Sequence, residues 1–153
     1  SSSTQSQESS SLARSCRDIL VTAGGKNIAP AEMEGYINQI PGVGQVVVVG
    51  DRKPYLSALI TLDTEALDVL CRDAGVAIAS LTELASHSTV QSYLMKRVES
   101  DCNRNVARYQ TIKRITVLSV EFSVDGGELT PTMKSKRNVV VEKYAAAIEA
   151  MYV

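Results

Sequence analysis

Tryptophan is absent from this 153-residue chain, and phenylalanine and histidine occur once each. With so few large aromatic rings, the sequence offers no evident stacking platform for single-stranded nucleic acid. His87 stands alone, and Cys16, Cys71 and Cys102 are an odd number, widely spaced and without a CxxC pair. We therefore expect no metal site, and a cytoplasmic, reducing compartment is the simpler interpretation.

Charge of one sign and long apolar runs are also missing. The formal net charge is −1, so no overall field attracts nucleic acid or an anionic membrane. The apolar runs are far too short for a transmembrane helix, which leaves peripheral membrane association at most. The chain does have a hydrophobic content of 44%, and its length fits one domain with a buried core.

The first residues differ from the rest. Residues 1–13 begin with a Ser-rich stretch that has no apolar periodicity, which predicts a disordered tail or linker. This stretch lacks the apolar centre of a secretory signal, and Glu8 without any Arg up to residue 11 is unlike a transit peptide. We therefore assign the folded domain to residues 14–153.

The first half of the domain predicts a hairpin, a helix and two strands. Short strands at residues 19–22 and 26–29 flank the turn at Gly24-Gly25. Pro30 opens a helix that Pro41-Gly42 ends, and its apolar face is Met33, Tyr36, Ile37 and Ile40. The continuous β-branched run at 46–49 predicts a central strand, and residues 55–62 alternate as its antiparallel partner.

The second half predicts helices with clear caps. Asp63 or Thr64 caps a helix that Gly75 ends, and Cys71 lies on its apolar face as a core residue. Capping boxes are predicted at two helix starts, Ser80 with Glu83 and Ser88 with Gln91. The longest helix follows, with an apolar stripe of Val90, Leu94, Val98, Cys102 and Val106, flanked by Tyr93 and Tyr109. His87, just before this helix, has no nucleophile partner in view, so we expect no catalytic role for it.

Residues 115–122 predict the third long strand, and a last helix presents Val140, Tyr144, Ile148 and Met151 on one face. The predicted fold is α+β: a small central sheet of three main strands plus a short N-terminal hairpin, flanked by four or five helices. The pattern does not give the strand order.

A basic cluster opens the last helix. Lys134, Lys136 and Arg137 follow a loop that contains Gly126-Gly127 and Pro131. A helix start carries partial positive charge and favours acidic residues, so three cations there repel the dipole and one another. Two interpretations stay open on this pattern, a solvated basic surface or a site that holds an anion.

Two motifs resemble those of a known family. Residues 129–137, LTPTMKSKR, resemble the L-T-P-T-x-K-x-K-R signature of adenylate-forming acyl-CoA synthetases of the long-chain, bubblegum-type branch. Residues 18–30 resemble the glycine-rich motif that opens the small C-terminal domain of the same enzymes. The two motifs stand in the family's order and at about its spacing, and the resemblance covers roughly residues 14–153. It implies the fold of that C-terminal domain, a small sheet flanked by helices.

The resemblance also implies roles for single residues. Lys134 matches the adenylation lysine, and Lys136 and Arg137 stand beside it as phosphate-binding candidates. Arg17 and Asp18 match the hinge about which the family's small domain rotates. The loop that then lines the CoA channel is Thr22, Ala23, Gly24, Gly25, Lys26 and Asn27. The sequence departs from the family just before the hinge, where Arg14-Ser15 replaces Gly-Arg and so alters an expected ribose contact.

The implied reaction joins a fatty acid to coenzyme A with ATP and Mg²⁺, through an acyl-adenylate. The ATP-binding and acyl-binding motifs of the large N-terminal adenylation domain do not occur in this sequence. We therefore interpret the chain as a fragment or a solitary C-terminal domain that needs this large domain as its partner. A non-catalytic binding or interaction module is the alternative, and nucleic-acid binding through the short basic cluster is a weaker third hypothesis.

Overall fold

A computed structural model describes residues 19–132 and 134–152. The predicted tail, Cys16 and the hinge residues Arg17 and Asp18 lie outside the described residues. The strands are β1 (Leu20–Val21), β2 (Asn27–Ile28), β3 (Val43–Val49), β4 (Leu56–Leu62) and β5 (Ile112–Leu118). The α-helices are α1 (Pro30–Asn38), α2 (Leu67–Ala74), α3 (Leu81–Ser86), α4 (Ser88–Arg97), α5 (Arg137–Lys143) and α6 (Ala145–Ala150). Together they confirm the predicted α+β class.

The main sheet has the order β3-β4-β5, with β3 antiparallel to β4 and β4 parallel to β5. The small antiparallel pair β1-β2 forms the predicted N-terminal hairpin. The expectation of a central strand at residues 46–49 is wrong, because β3 lies at the edge of the sheet. Its continuous apolar run has another cause, which is that both faces of the strand are covered by helices.

The sheet lies between two helical layers. One apolar cluster packs α1, α2, α3 and α4 against the face that includes Val46, Val48 and Ile60. A second cluster packs α5 and α6 against the opposite face, which includes Val47 and Leu59. All seven residues of β4 are buried, so the middle strand is the one shielded on both faces and along both edges.

Several helix boundaries differ from their predictions. Ser80 caps α3 as expected, since its hydroxyl accepts from Glu83 N–H. The second capping box is wrong, because His87 rather than Ser88 caps α4, and its Nδ1 accepts from Thr89 N–H. Asp63 is the cap before α2, and Gly75 ends that helix in a left-handed conformation.

The predicted longest helix is interrupted. Its α-helical part ends at Arg97, and the backbone continues as a short π-helix over Val98–Cys102. The stripe is nevertheless core as far as Cys102, which is fully buried, whereas Val106 is extended and only half-buried. Burial raises the pKa of Cys102 to about 11, so its thiol is protonated near neutral pH.

The last strand and last helix are also displaced. β5 begins three residues earlier than predicted and ends at Leu118. The exposed Lys113 and Arg114, which an edge strand tolerates, obscure the apolar pattern at its start. The final helix is divided at Tyr144 into α5 and α6, which raises the number of helices above the expected four or five. Within residues 19–132 and 134–152, no helix has the length and apolar character that crossing a bilayer requires.

Candidate functional site

Lys134 projects from a turn formed by residues 129–132, 134 and 135, which we call the lysine turn. A β-bridge joins Leu129 to Ser135 at its base. Further along, Thr130 N–H donates to the Lys134 carbonyl at 2.8 Å, and Lys134 N–H donates to Thr130 Oγ1 at 3.1 Å. These bonds fix the backbone of Lys134, while its side chain is exposed. The arrangement presents an exposed ammonium group from a backbone that these bonds hold.

One flank of the lysine turn is fixed by Glu128. The Glu128 side chain is 6% exposed, and its carboxylate pairs with Lys143 Nζ of α5 at 2.5 Å. Ser123 N–H donates to the other oxygen, Oε1, at 3.4 Å. The hydrogen bond from Lys143 is the main reason that the pKa of Glu128 lies below its ordinary value, although burial opposes the shift.

The other flank is fixed to the edge of the sheet. Arg137, the first residue of α5, pairs with Glu34 of α1 at 2.8 Å and donates from Nε to the Val48 carbonyl at 3.2 Å. Glu34 also accepts from Val48 N–H at 2.9 Å. Next to them, Ser135 Oγ donates to Gln45 Oε1 at 3.3 Å. Arg137 thus has a protein carboxylate as its neighbour, so its predicted phosphate-binding role stays a prediction.

The CoA-channel residues of the second motif, 22–27, form what we call the glycine loop, which runs from the end of β1 to the first residue of β2. Thr22 N–H donates to the Lys26 carbonyl at 3.0 Å, and Gly25 N–H donates to the Thr22 carbonyl at 2.9 Å. Gly25 has φ +86°, which a side-chain-bearing residue rarely adopts. Ala23 N–H donates to the carbonyl of Lys53, in the turn that joins β3 and β4, at 3.1 Å. Backbone contacts, together with the Thr22 hydroxyl that accepts from Lys26 N–H at 3.1 Å, therefore hold this loop.

A small basic pocket lies beside the glycine loop. Its volume is about 240 Å³, and its lining includes Thr22, Gly24, Lys26, Arg108, Tyr109 and Lys113. The Lys26 ammonium lies 5.5 Å from the centre of the Tyr109 ring. Among the described residues, three cations and no carboxylate line the pocket, which makes it suited to an anionic group. Sites that enclose a drug-sized ligand are larger, so this pocket suits part of a ligand.

The structure brings the predicted residues together in two places rather than one. Lys134, Lys136 and Arg137 line an open groove between α1, β3 and α5, whereas the glycine loop lines the basic pocket. Sequence reasoning missed Arg108 and Lys113, and it assigned Tyr109 to the edge of a core stripe. The basic and aromatic composition of residues 108–114 was the available signal.

The described part of the chain does not bring potential metal ligands together. Among residues 19–132 and 134–152, no set of three or more His, Cys, Asp or Glu side chains could hold a metal ion. Cys71 and Cys102 are both buried as free thiols. The chemistry that the described residues offer is therefore that of exposed cations on braced loops.

The family described as "AMP-binding enzyme C-terminal domain" matches residues 17–153. The chain belongs to this family. The long-chain-fatty-acid–CoA ligase FadD15 of Mycobacterium tuberculosis is 44% identical over 137 residues, which cover 89% of this chain and 23% of that protein. The human long-chain-fatty-acid–CoA ligase ACSBG2 is 32% identical over 153 residues, again 89% of this chain and 23% of the relative.

Solved structures agree on the fold of this AMP-binding C-terminal domain. The adenylation domain of a carboxylate reductase from Mycobacterium chelonae matches with a TM-score of 0.69 and 23% identity, over 90% of this chain and 20% of that one. A fatty acyl CoA synthetase of Mycobacterium tuberculosis matches with a TM-score of 0.52 and 21% identity, over 86% and 20%. The chain thus spans about a quarter of the length of the curated relatives it matches.

Proposed function

We propose that this chain is the C-terminal part of a long-chain fatty acid–CoA ligase and works with a large adenylation domain. In that reaction a fatty acid, ATP and CoA give acyl-CoA, AMP and pyrophosphate. The observation that carries the proposal is the placement of Lys134, an exposed cation on a turn braced at both flanks, in a domain related to such ligases. The role of Lys134 is in the first half-reaction.

In that half-reaction a fatty-acid carboxylate oxygen forms a bond to the α-phosphorus of ATP, and pyrophosphate leaves. Two anions must approach each other, so a cation that contacts both favours the transition state. The long stem of lysine lets the ammonium reach between them while the turn holds its backbone. We assign Mg²⁺ and ATP to the large domain, since the described residues hold no set of metal ligands.

In the second half-reaction the CoA thiol attacks the acyl carbon, and AMP leaves. We propose that the glycine loop lines the channel for the pantetheine arm, where small residues allow close approach of the backbone. The adjacent cations Lys26, Arg108 and Lys113 would then hold the phosphates of CoA. ATP and CoA are intracellular metabolites, and a cytoplasmic location is part of the proposal.

The test uses a chimera in which this chain replaces the C-terminal domain of the M. tuberculosis ligase FadD15. We expect the chimera to make palmitoyl-CoA. Lys134→Ala should lower fatty-acid-dependent pyrophosphate release by about 100- to 1000-fold, as removal of one transition-state donor does elsewhere. Thioester formation from synthetic palmitoyl-adenylate and CoA should persist. Lys96→Ala, at an exposed lysine of α4, is the matched control.

Two results would contradict the proposal. Undiminished pyrophosphate release in Lys134→Ala would remove the lysine assignment. Fatty-acid-dependent pyrophosphate release by the 153-residue chain alone would show that it carries a complete site, because one cation cannot position two substrates by itself.

A further inference from the structure

Glu128 differs in its surroundings from the other charged residues. Within residues 19–132 and 134–152, it is the one charged residue whose exposure falls in the buried range, at 5%. A buried carboxylate is unfavourable unless other groups compensate its charge. Lys143 supplies a cation and Ser123 supplies an N–H, so the carboxylate is compensated on both oxygens.

Backbone bonds tie the same residue to the lysine turn. The Glu128 carbonyl accepts from Lys136 N–H at 2.7 Å, and the next residue, Leu129, forms the bridge to Ser135. Glu128 therefore joins three elements: the loop at Ser123 through its Oε1, the end of α5 through its Oε2, and the returning arm of the turn through its carbonyl. Lys134 lies on that returning arm, two residues before Lys136.

The loop before the lysine turn is shaped around the carboxylate. A Cβ atom at Gly126 would overlap with Glu128 Oε1 and lie 2.9 Å from Ser123 Oγ. Gly126 N–H donates to Ser123 Oγ at 2.9 Å, and the Gly126 carbonyl accepts from Lys143 Nζ at 3.4 Å. A side chain at residue 126 would therefore displace the carboxylate from the position in which it pairs with Lys143.

We infer that Glu128, through its ion pair with Lys143, is a positioning residue that sets where the lysine turn presents Lys134 for adenylation. The inference rests on the proposed role of Lys134. α5 acts as the rigid link, since Arg137 fixes its first turn to β3 while Lys143 fixes its last turn to Glu128. The glycine loop has no part in this arrangement, so the effect is confined to the first half-reaction.

The test compares the two half-reactions in the chimera with the M. tuberculosis large domain. Glu128→Gln keeps the shape of the side chain but removes the charge that pairs with Lys143. Because a misplacement of about 1 Å can cost roughly 100-fold in rate, we expect pyrophosphate release to fall about 10- to 100-fold. Thioester formation from palmitoyl-adenylate should stay close to the unmutated level. Lys143→Gln should reproduce the split, and Lys143→Arg should retain most of the adenylation rate.

The control is Asp101→Asn, which removes the partner of Arg97 in an exposed ion pair on another helix and should leave both half-reactions unchanged. Equal losses in both half-reactions, or unchanged adenylation in folded Glu128→Gln and Lys143→Gln, would overturn the inference. If Glu128→Gln fails to fold, the Lys143 variants decide, because that side chain is 44% exposed. If Lys134→Ala leaves pyrophosphate release unchanged, the proposed function fails and the inference fails with it. If Lys134→Ala strongly lowers pyrophosphate release but the Glu128 and Lys143 variants do not, the inference alone is overturned.

Discussion

The lysine turn and the glycine loop are held in different ways. Side chains brace the lysine turn, with Glu128 and Lys143 on one flank and Arg137 and Glu34 on the other. The glycine loop has the same internal pair of bonds between a threonine and a lysine four residues later as the lysine turn, but a backbone bond at Ala23 anchors it to the turn between β3 and β4. The lysine turn presents one exposed cation, Lys134, whereas the glycine loop borders a pocket lined by three.

The difference suggests two demands on one small domain. A lone ammonium that must reach between two anions depends on where its backbone is fixed, and ion pairs with partners far along the chain provide that fixation. A loop that lines a channel must leave room for a ligand, so short backbone contacts suit it better than bulky side chains. Mutations in the two regions should therefore separate the two half-reactions.

Beyond the Lys134→Ala effect given above, the largest separation of the two half-reactions is expected at the basic pocket. We expect the double variant Arg108→Glu, Lys113→Glu in the chimera to raise the KM for CoA about 100-fold, because two charge-assisted contacts to phosphate are replaced by repulsion. Pyrophosphate release in the absence of CoA should not change. Steady-state kinetics with CoA varied, beside a pyrophosphate assay, measure the two effects.

Lys96→Glu alters the net charge at a site remote from the pocket and serves as the control. A KM for CoA that is unchanged in the double variant would show that the pocket does not hold the phosphates. Equal effects on both half-reactions would remove the distinction between the two regions.

A smaller effect, on stability, is expected from Arg137 at the flank of the lysine turn. Arg137→Ala leaves Glu34, whose side chain is 22% exposed, without this cation and takes a donor from the Val48 carbonyl. We expect a loss of about 2 kcal/mol in the free energy of unfolding, measured by urea denaturation of the 153-residue chain. Arg97→Ala, which breaks an exposed pair within one turn of helix, should cost at most about 0.5 kcal/mol. Similar losses in the two variants would mean that the contacts of Arg137 with Glu34 and Val48 stabilise the domain no more than the Arg97 pair does.

The smallest effect distinguishes the two glycines of the glycine loop. Gly25 has φ +86° with open space around it, so Gly25→Ala should lower the free energy of unfolding by about 1 kcal/mol through backbone strain alone. At Gly24 an added Cβ would meet Thr22 Oγ1 at an ordinary 3.8 Å, and Gly24→Ala should be neutral. The same urea denaturation compares the two variants. Equal free energies of unfolding would contradict the expected backbone strain at residue 25.

Local sequence was sufficient for much, though not all, of the local structure in this domain. Gly24-Gly25 marked the hairpin turn, Pro30 the start of α1, and Asp63 and Gly75 the two ends of the helical segment that includes α2. These features depend on residues within a few positions of each other, where φ preferences and capping dominate. The motif around Lys134 was likewise found from one contiguous stretch.

Contacts between distant residues could not be predicted in this way. Arg137 and Glu34 are 103 positions apart, and no periodicity links them. An apolar run such as 46–49 reports that both faces of a strand are covered, but it does not report the strand's neighbours, which is why the edge position of β3 was missed. The basic pocket likewise needs Lys26 and Lys113 to meet after folding.

The contacts at Val48 have a consequence for how this domain behaves at high concentration. The edge of a sheet offers unpaired N–H and C=O groups that can template pairing with another chain, the first step towards aggregation. At Val48 both groups are already bonded to side chains, the N–H to Glu34 and the C=O to Arg137. The pair that braces the lysine turn therefore also interrupts this template and places opposite charges where a second β-strand would have to approach.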